Sequence, residues 1–369
     1  MITLEVNGVN YTGFTEISVT KSLTDFCGKF SFVTVWDEQR HFPIKIGQRC
    51  KIRVENTVII NGFIEQLNIT YDSTSHVINV IGRDKTADIV DSTLAEDIEF
   101  TAPYTLENIA KKVLNKLNIK NITVSSNVPL SPFQKGELES GEIGIKAFDL
   151  IEKYARKKHV LATTTGDGNI LFRRSDLKNK YKTILSLDEI TQLTIKSANV
   201  TYDNSKRYHT YIVRSQTNDS VVYFDVDTAV NVPKKLIYDN EIRNSRIYNF
   251  IAEQALLGEE QAKTRAQWEA NFRRSQAFTY NCTVQGFIPV NDKIIWQPAY
   301  FVQVIDEFSN INSTLLIEQV QYNFSLSLGS QSVLKLVTAD AFTLEVERPE
   351  KKQNEEPQGP VYFDKQEQE

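Results

Sequence analysis

Two stretches far apart in the chain follow one plan, and that limits the folds open to it. Residues 58–91 read VIINGFIEQLNITYDSTSHVINVIGRDKTADIVD, and residues 315–342 read LLIEQVQYNFSLSLGSQSVLKLVTADAF. In the first, Ile60, Gly62, Ile64 and Leu67 lean toward one side. Val77, Asn79 and Ile81 then face one way, and Ile78 and Val80 the other. Period-2 runs on both sides of Asp72-Ser73-Thr74-Ser75 predict a hairpin. Gly82 is read as the strand's end and Asp84 as the cap of a short turn with Ala87, Ile89 and Val90 on its apolar side. The second stretch answers in the same order. Ile64-Glu65-Gln66-Leu67 matches Ile317-Glu318-Gln319-Val320, and Ile69-Thr70-Tyr71 matches Tyr322-Asn323-Phe324. Residues 77–82 match 333–337, and Thr86-Ala87-Asp88 matches Thr338-Ala339-Asp340. The match is short and needs a gap, so chance is the competing reading. Taken as real, it means two copies of one β module.

Around these copies the chain divides by pattern. Residues 1–95 are all strand and turn. Asn7-Gly8 makes a tight hairpin, Ile17, Val19 and Lys21 alternate with Ser18 and Thr20, and Phe30, Phe32, Thr34 and Trp36 form another face. Short strands with turns between them suggest a small barrel or sandwich, taken here as a first β-barrel module. Residues 96–195 form a small α+β domain. Leu106, Ile109, Ala110, Val113, Leu114 and Leu117 repeat at helical spacing behind an N-cap at Thr105, with Asn118 at the end. A strand at 122–124, a loop at 129–144, a helix carrying Ile145, Phe148, Ile151 and Ala155, and a hairpin over 160–173 complete it. Residues 196–345 return to strands, including 221–226, 278–285, 294–296 and 300–305. A helical insertion near 245–274 has Ile251, Ala255, Ala262, Ala266 and Ala270 on one stripe. Glu253, Glu260, Lys263 and Arg274 make its solvated face. Residues 346–369 are polar and proline-containing, a flexible C-terminal tail. The fold class is therefore mixed α+β, mainly β.

Composition removes several kinds of function. A net charge of −5 over 369 residues creates no field that attracts nucleic acid, and Arg156-Lys157-Lys158 is a helix-end cluster. No run approaches the ~18–20 apolar residues of a membrane span, and the first residues read as strand and turn, not a leader. The expectation is synthesis in a reducing cytoplasm, with Cys27, Cys50 and Cys282 as core residues and Asn68-Ile69-Thr70 without glycan. His41, His76, His159 and His209 lack a ligand partner at metal spacing, so no metal or cofactor is expected. Gly166-Asp167-Gly168 is a turn, too short to cradle a phosphate. The best catalytic candidates are Glu137, Glu139 and Glu142, with Asp167 or Asp149 as the second carboxylate of a glycosidase pair. The simpler reading wins, because Glu142 precedes a helix whose first amides favour negative charge. No catalytic residue is assigned, and the frequent aromatics read as core.

Four motifs in order carry a family resemblance. They are Val6-Asn7-Gly8 through Tyr11-Thr12-Gly13-Phe14 with Val19 to Leu23; Ile81-Gly82-Arg83-Asp84-Lys85-Thr86-Ala87-Asp88; Gly144 through Phe148-Asp149-Leu150-Ile151 to the Asp167-Gly168-Asn169 turn; and Arg265-Ala266-Gln267-Trp268 with Val284-Gln285-Gly286-Phe287, Trp296 and Ala339-Asp340-Ala341-Phe342. Together the chain resembles the baseplate hub proteins of Mu-like contractile-tailed phages. The resemblance implies a homotrimer in the virion tail baseplate, with two tail-tube-like barrels and no catalytic residues. Its implied partners are a six-fold tail tube, a three-fold central spike and other baseplate proteins. Two alternatives stand beside it: the hub part of a type VI secretion or other contractile injection spike, and a tail-associated cell-wall glycosidase or carbohydrate-binding protein. The Glu137–Glu142 loop is richer in glutamate than the family pattern.

Overall fold

The computed structural model describes residues 1–36, 41–72, 75–134, 137–175, 178–187, 194–214, 234–251 and 259–338. The first strands are β1 (Ile2–Val6), β2 (Val9–Tyr11), β3 (Glu16–Ser22), β4 (Lys29–Val35), β5 (Arg49–Val54), β6 (Thr57–Tyr71) and β7 (His76–Asp84), followed by the short helix α1 (Ala87–Asp91). Asn7 and Gly8 turn β1 into β2 with φ of 50° and 82°, the positive values a two-residue hairpin turn requires. The strands lie in the order β3-β4-β7-β6-β5-β1-β2. Gly82 does not end its strand: β7 runs on to Asp84. A Cβ at Gly82 would stand 2.1 Å from the Phe63 carbonyl oxygen and 2.4 Å from the Phe30 ring, so the glycine is there for clearance. Nor is Asp84 the cap of α1. That position falls to Thr86, and the Asp84 carboxylate is buried.

A second core follows. It combines α1, α2 (Leu106–Lys116), β8 (Val124–Ser126), α3 (Ala147–Lys157), β9 (Leu161–Thr164) and β10 (Ile170–Arg173). Thr105 caps α2 by accepting the Asn108 N–H at 3.2 Å, and Asn118 takes a φ of 55° just beyond the helix. The strand expected at 122–124 lies at β8, because Val124 to Ser126 pair in parallel with β10. This core runs from Ile89 to Phe172 and includes Phe26. It thus begins before residue 96, and the next strand, β11 (Lys180–Ser186), pairs with the large sheet and not with this unit.

The remaining elements are β12 (Ile195–Tyr202), β13 (Thr210–Arg214), β14 (Lys234–Tyr238), β15 (Ile247–Ile251), α4 (Glu259–Gln276), β16 (Phe278–Gln285), β17 (Phe301–Asp306), β18 (Ile311–Ser325) and β19 (Gly329–Thr338). Residues 247–251, expected as helix, are strand instead. Ile-Tyr-Asn-Phe-Ile alternates with period 2 and lies parallel to β13 in a small sheet β14-β13-β15. Ala262 and Ala266 of α4 bury against that sheet at 0% exposure, as the small-residue stripe predicts. Arg265, Glu269 and Arg273 continue that buried stripe as an ion ladder, with Arg265 over the Phe250 ring and Arg273 over the Tyr248 ring. On the face expected to be solvated, Arg274 reaches Asp239 at 3.2 Å. Residues 294–296 form no strand; Ile295 and Trp296 bury as irregular chain, and the Tyr181 hydroxyl donates to the Ile295 carbonyl at 2.7 Å. Residues 221–226, Ala255, Glu253 and the segment 346–369 lie outside the described residues, as do the side chain of Glu260 and residues 339–342.

Both β modules belong to one sheet. Its order is β12-β16-β19-β18-β3-β4-β7-β6-β5-β1-β2, with β17 on the free stretch of β18 and β11 beyond it. A single apolar cluster, from Ile2 and Leu4 through Val320 and Leu336, lies beneath both halves.

Candidate functional site

The chemistry-bearing residues of this chain gather at the junctions between its units. The repeat is structural. Each long hairpin has a bulge at its glutamate: the β6/β7 ladder slips between Ile64 and Gln66, and the β18/β19 ladder between Ile317 and Gln319. Each extra carboxylate then crosses to a cation on the partner strand, Glu65 to Arg83 at 2.6 Å and Glu318 to Lys335 at 2.8 Å. The neighbours agree as well. The path β5-β6-β7-β4-β3 is repeated by β17-β18-β19-β16-β12, antiparallel at every step. The ladders set Gly82 against Leu336, one place from the end-to-end match of the sequences. The likeness of Thr86 to Thr338 is not structural, since Thr338 is still in its strand opposite Leu315.

The two modules meet where β18 passes β3. Gln319 to Ser325 pair antiparallel with Ser22 to Glu16. On the core side Val320, Tyr322 and Val19 are all 0% exposed, and on the other side the Gln321 amide donates to Ser18 Oγ at 2.9 Å. Glu318 closes the end of this seam. Its carbonyl accepts the Leu23 N–H, and its carboxylate accepts the Thr24 hydroxyl at 2.8 Å.

The α+β unit is fixed by a second junction. Lys21 Nζ lies 2.6 Å from the Asp84 carboxylate and 2.5 Å from Thr164 Oγ1, and Asp84 is fully buried. Lys85 Nζ donates to the Asn121 carbonyl at 2.6 Å and to Asn169 Oδ1 at 3.2 Å. A Cβ at Gly166 would lie 1.9 Å from the Val58 carbonyl oxygen, so the β9–β10 turn rests directly on β6. The signal for Lys21 was visible: a charge following Ile17 and Val19 on an inward face needs a buried partner. Which carboxylate supplies it was not visible.

The acidic residues do not form a catalytic pair. Glu139 sits between Lys153 at 2.6 Å and Lys157 at 2.5 Å. Burial raises its carboxyl, and the two ammonium hydrogen bonds outweigh that and hold it below the usual range, the opposite of a proton donor. Lys157 is pulled down by burial despite the same pair. Glu137 accepts the Gln134 N–H at 2.6 Å, Glu142 is exposed, and Asp149 is exposed in the first turn of α3. Asp167 stands apart from them, exposed in the turn against Lys85 and Asp84. His41 and His76 are exposed, and His159 and His209 are half-buried. Burial pushes the thiols of Cys27, Cys50 and Cys282 up to about 12. Among the described residues no group of His, Cys, Asp or Glu could hold a metal ion, and no helix is long and apolar enough to cross a membrane.

Comparison with known proteins agrees with this organisation. Residues 1–84 match the N-terminal domain of Mu phage baseplate assembly protein GpP-like. Residues 86–174 match the second domain of baseplate hub protein gp44-like, and residues 258–345 the fourth domain of Mu phage baseplate assembly protein GpP. The baseplate hub protein gp44 of Escherichia phage Mu is 22% identical over 355 residues, covering 95% of this chain and 91% of that protein. Among solved structures, the 43 kDa tail protein of prophage MuSo2 from Shewanella oneidensis has a TM-score of 0.77 at 25% identity, covering 93% of this chain and 99% of that one. A tail protein from Neisseria meningitidis MC58 has a TM-score of 0.75 at 17% identity, covering 92% and 97%.

Proposed function

We propose, from the premise that this chain belongs to the baseplate hub proteins of Mu-like phages, that three copies close a ring joining the six-fold tail tube to the three-fold central spike. The role is structural, in the phage tail, and not enzymatic. The six-fold tube and three-fold spike are what the family resemblance implies. Two modules with the same strand path and the same bulge are already joined edge to edge by β18 and β3. Three such chains present six similar surfaces on one side and keep three-fold symmetry on the other. Head-to-tail contacts are what closes a ring of this kind. In this reading the β modules of residues 1–95 and 196–345 alternate around the ring and the α+β unit of residues 96–195 lies outside it; family matches over 1–84, 86–174 and 258–345 support such a division.

The observation that carries the proposal is the shared bulge at Glu65 and Glu318, which makes the two modules equivalent. Native mass spectrometry of the full chain is the test. We expect about three times 42.2 kDa. A protein that remains monomeric at high concentration, alone and with its spike, overturns the ring. The glycosidase alternative is met by incubation with peptidoglycan, where release of soluble sugar would support it. Gene neighbours separate a phage tail from a type VI device.

A further inference from the structure

The internal seam has a counterpart in two other strand edges of the same chain. The bulges align the two modules residue by residue. In the first, Ile64 faces Gly82, Gly82 faces Phe30, and Phe30 faces Val19. In the second, Ile317 faces Leu336, Leu336 faces Tyr280, and Tyr280 faces Val200. Val19 and Val200 are therefore equivalent. Counting along β6 and β18 from the bulge, so are Ile69 and Tyr322. Within the chain Tyr322 pairs with Val19. Ile69 and Val200 have no such partner: among the described residues β6 beyond Ile64 pairs only with β7, and β12 pairs only with β16.

We infer that residues 67–71 of β6 add as a strand to residues 198–202 of β12 in the next copy, antiparallel, with Ile69 opposite Val200. This rests on the ring proposed above and specifies its interface. The register also sets Leu67 opposite Tyr202 and Tyr71 opposite Ala198 on one face. Asn68 then meets Thr201, and Thr70 meets Asn199, on the other.

Side-chain character supports the pairing. Ile69 is 55% exposed, Tyr71 72% and Tyr202 65%, large apolar groups left in water along two sheet edges. Their counterparts at the internal seam lie on its core-facing side, where Tyr322 and Val19 are 0% exposed. On the opposite face both seams carry amides and hydroxyls: Gln321, Asn323, Ser18 and Thr20 inside the chain, Asn68, Thr70, Asn199 and Thr201 between chains. An exposed strand edge of this kind attracts another strand, and a slip of one residue would turn the apolar set to the wrong face.

The test is disulfide cross-linking of the full chain. Ile69→Cys/Val200→Cys and Asn68→Cys/Thr201→Cys sample the two ladder geometries, and Asn68→Cys/Val200→Cys is the slipped control. The native thiols do not compete, since burial keeps them protonated. After oxidation with diamide, an in-register pair is expected to convert the single band into covalent dimer and trimer that vanish on reduction. The slipped control stays a single band. Ile69→Lys is expected to abolish the trimer mass while leaving the circular dichroism of the monomer unchanged. A trimer by mass with neither in-register pair cross-linking overturns the pairing and leaves the ring standing. A chain that is monomeric and does not cross-link overturns both.

Discussion

Lys21 shows what a single residue decides here. It follows Ile17 and Val19 on an inward face, yet it is a cation, 7% exposed, with Asp84, Thr164 and the Thr165 carbonyl around its ammonium. Removing one partner of a buried pair leaves the other charge uncompensated, at a cost of roughly 3–5 kcal/mol. Lys21→Met is therefore expected to lower the denaturation midpoint far more than Lys21→Met/Asp84→Leu, which removes both charges; equal losses would show that the pair itself matters little. Glu139 makes the opposite case, a nearly half-exposed carboxylate between Lys153 and Lys157. Its folded pKa is depressed below the ordinary 4.5, so it stabilises the fold above that value and loses the contribution as pH falls through the folded value. Screening keeps the magnitude under about 1 kcal/mol. The Tm difference between the natural chain and Glu139→Gln should be present at neutral pH and shrink below pH 4.5. A difference that grows in acid would contradict the assignment.

At the scale of elements, what was legible depended on whether a local pattern chose the structure. Thr105, the three-and-four spacing of α2 and Asn118 all act within a few residues, and the helix is where they place it. The stretch 247–251 is strand although an alanine stripe further on favours helix, because Ile247 to Ile251 pair with β13, a contact no local pattern shows. Gly82 is no strand end; it lies opposite Ile64 at the bulge, with Phe30 and the Phe63 carbonyl in the space a side chain would need. Gly82→Val is expected to destabilise by about 1–3 kcal/mol, through strain on both the ring and the β6 backbone. An unchanged melting temperature would mean that β7 can shift freely at the bulge.

For the whole molecule the sequence told faces but not neighbours. Alternation in β3 says which side is buried, and the same alternation fits any strand beside it. That the neighbour is β18, with Ser18 bonded to Gln321 303 residues away, depends on a path no local pattern encodes. The consequence is energetic coupling between the two halves. One apolar cluster spans both modules, and the seam between them is as buried as either interior. Contacts so distant in sequence form late and slow folding, but once formed they make the sheet unfold as a unit. Calorimetry of the full chain should then show both modules melting in one transition. Val19→Asp puts an unpaired charge at a fully buried position opposite Tyr322. It is expected to separate that transition into two, the module with the opened β3 edge melting first. Two separate transitions in the natural chain would show instead that the seam joins the modules without coupling them, and that a ring built on the same seam would have to draw its rigidity from elsewhere.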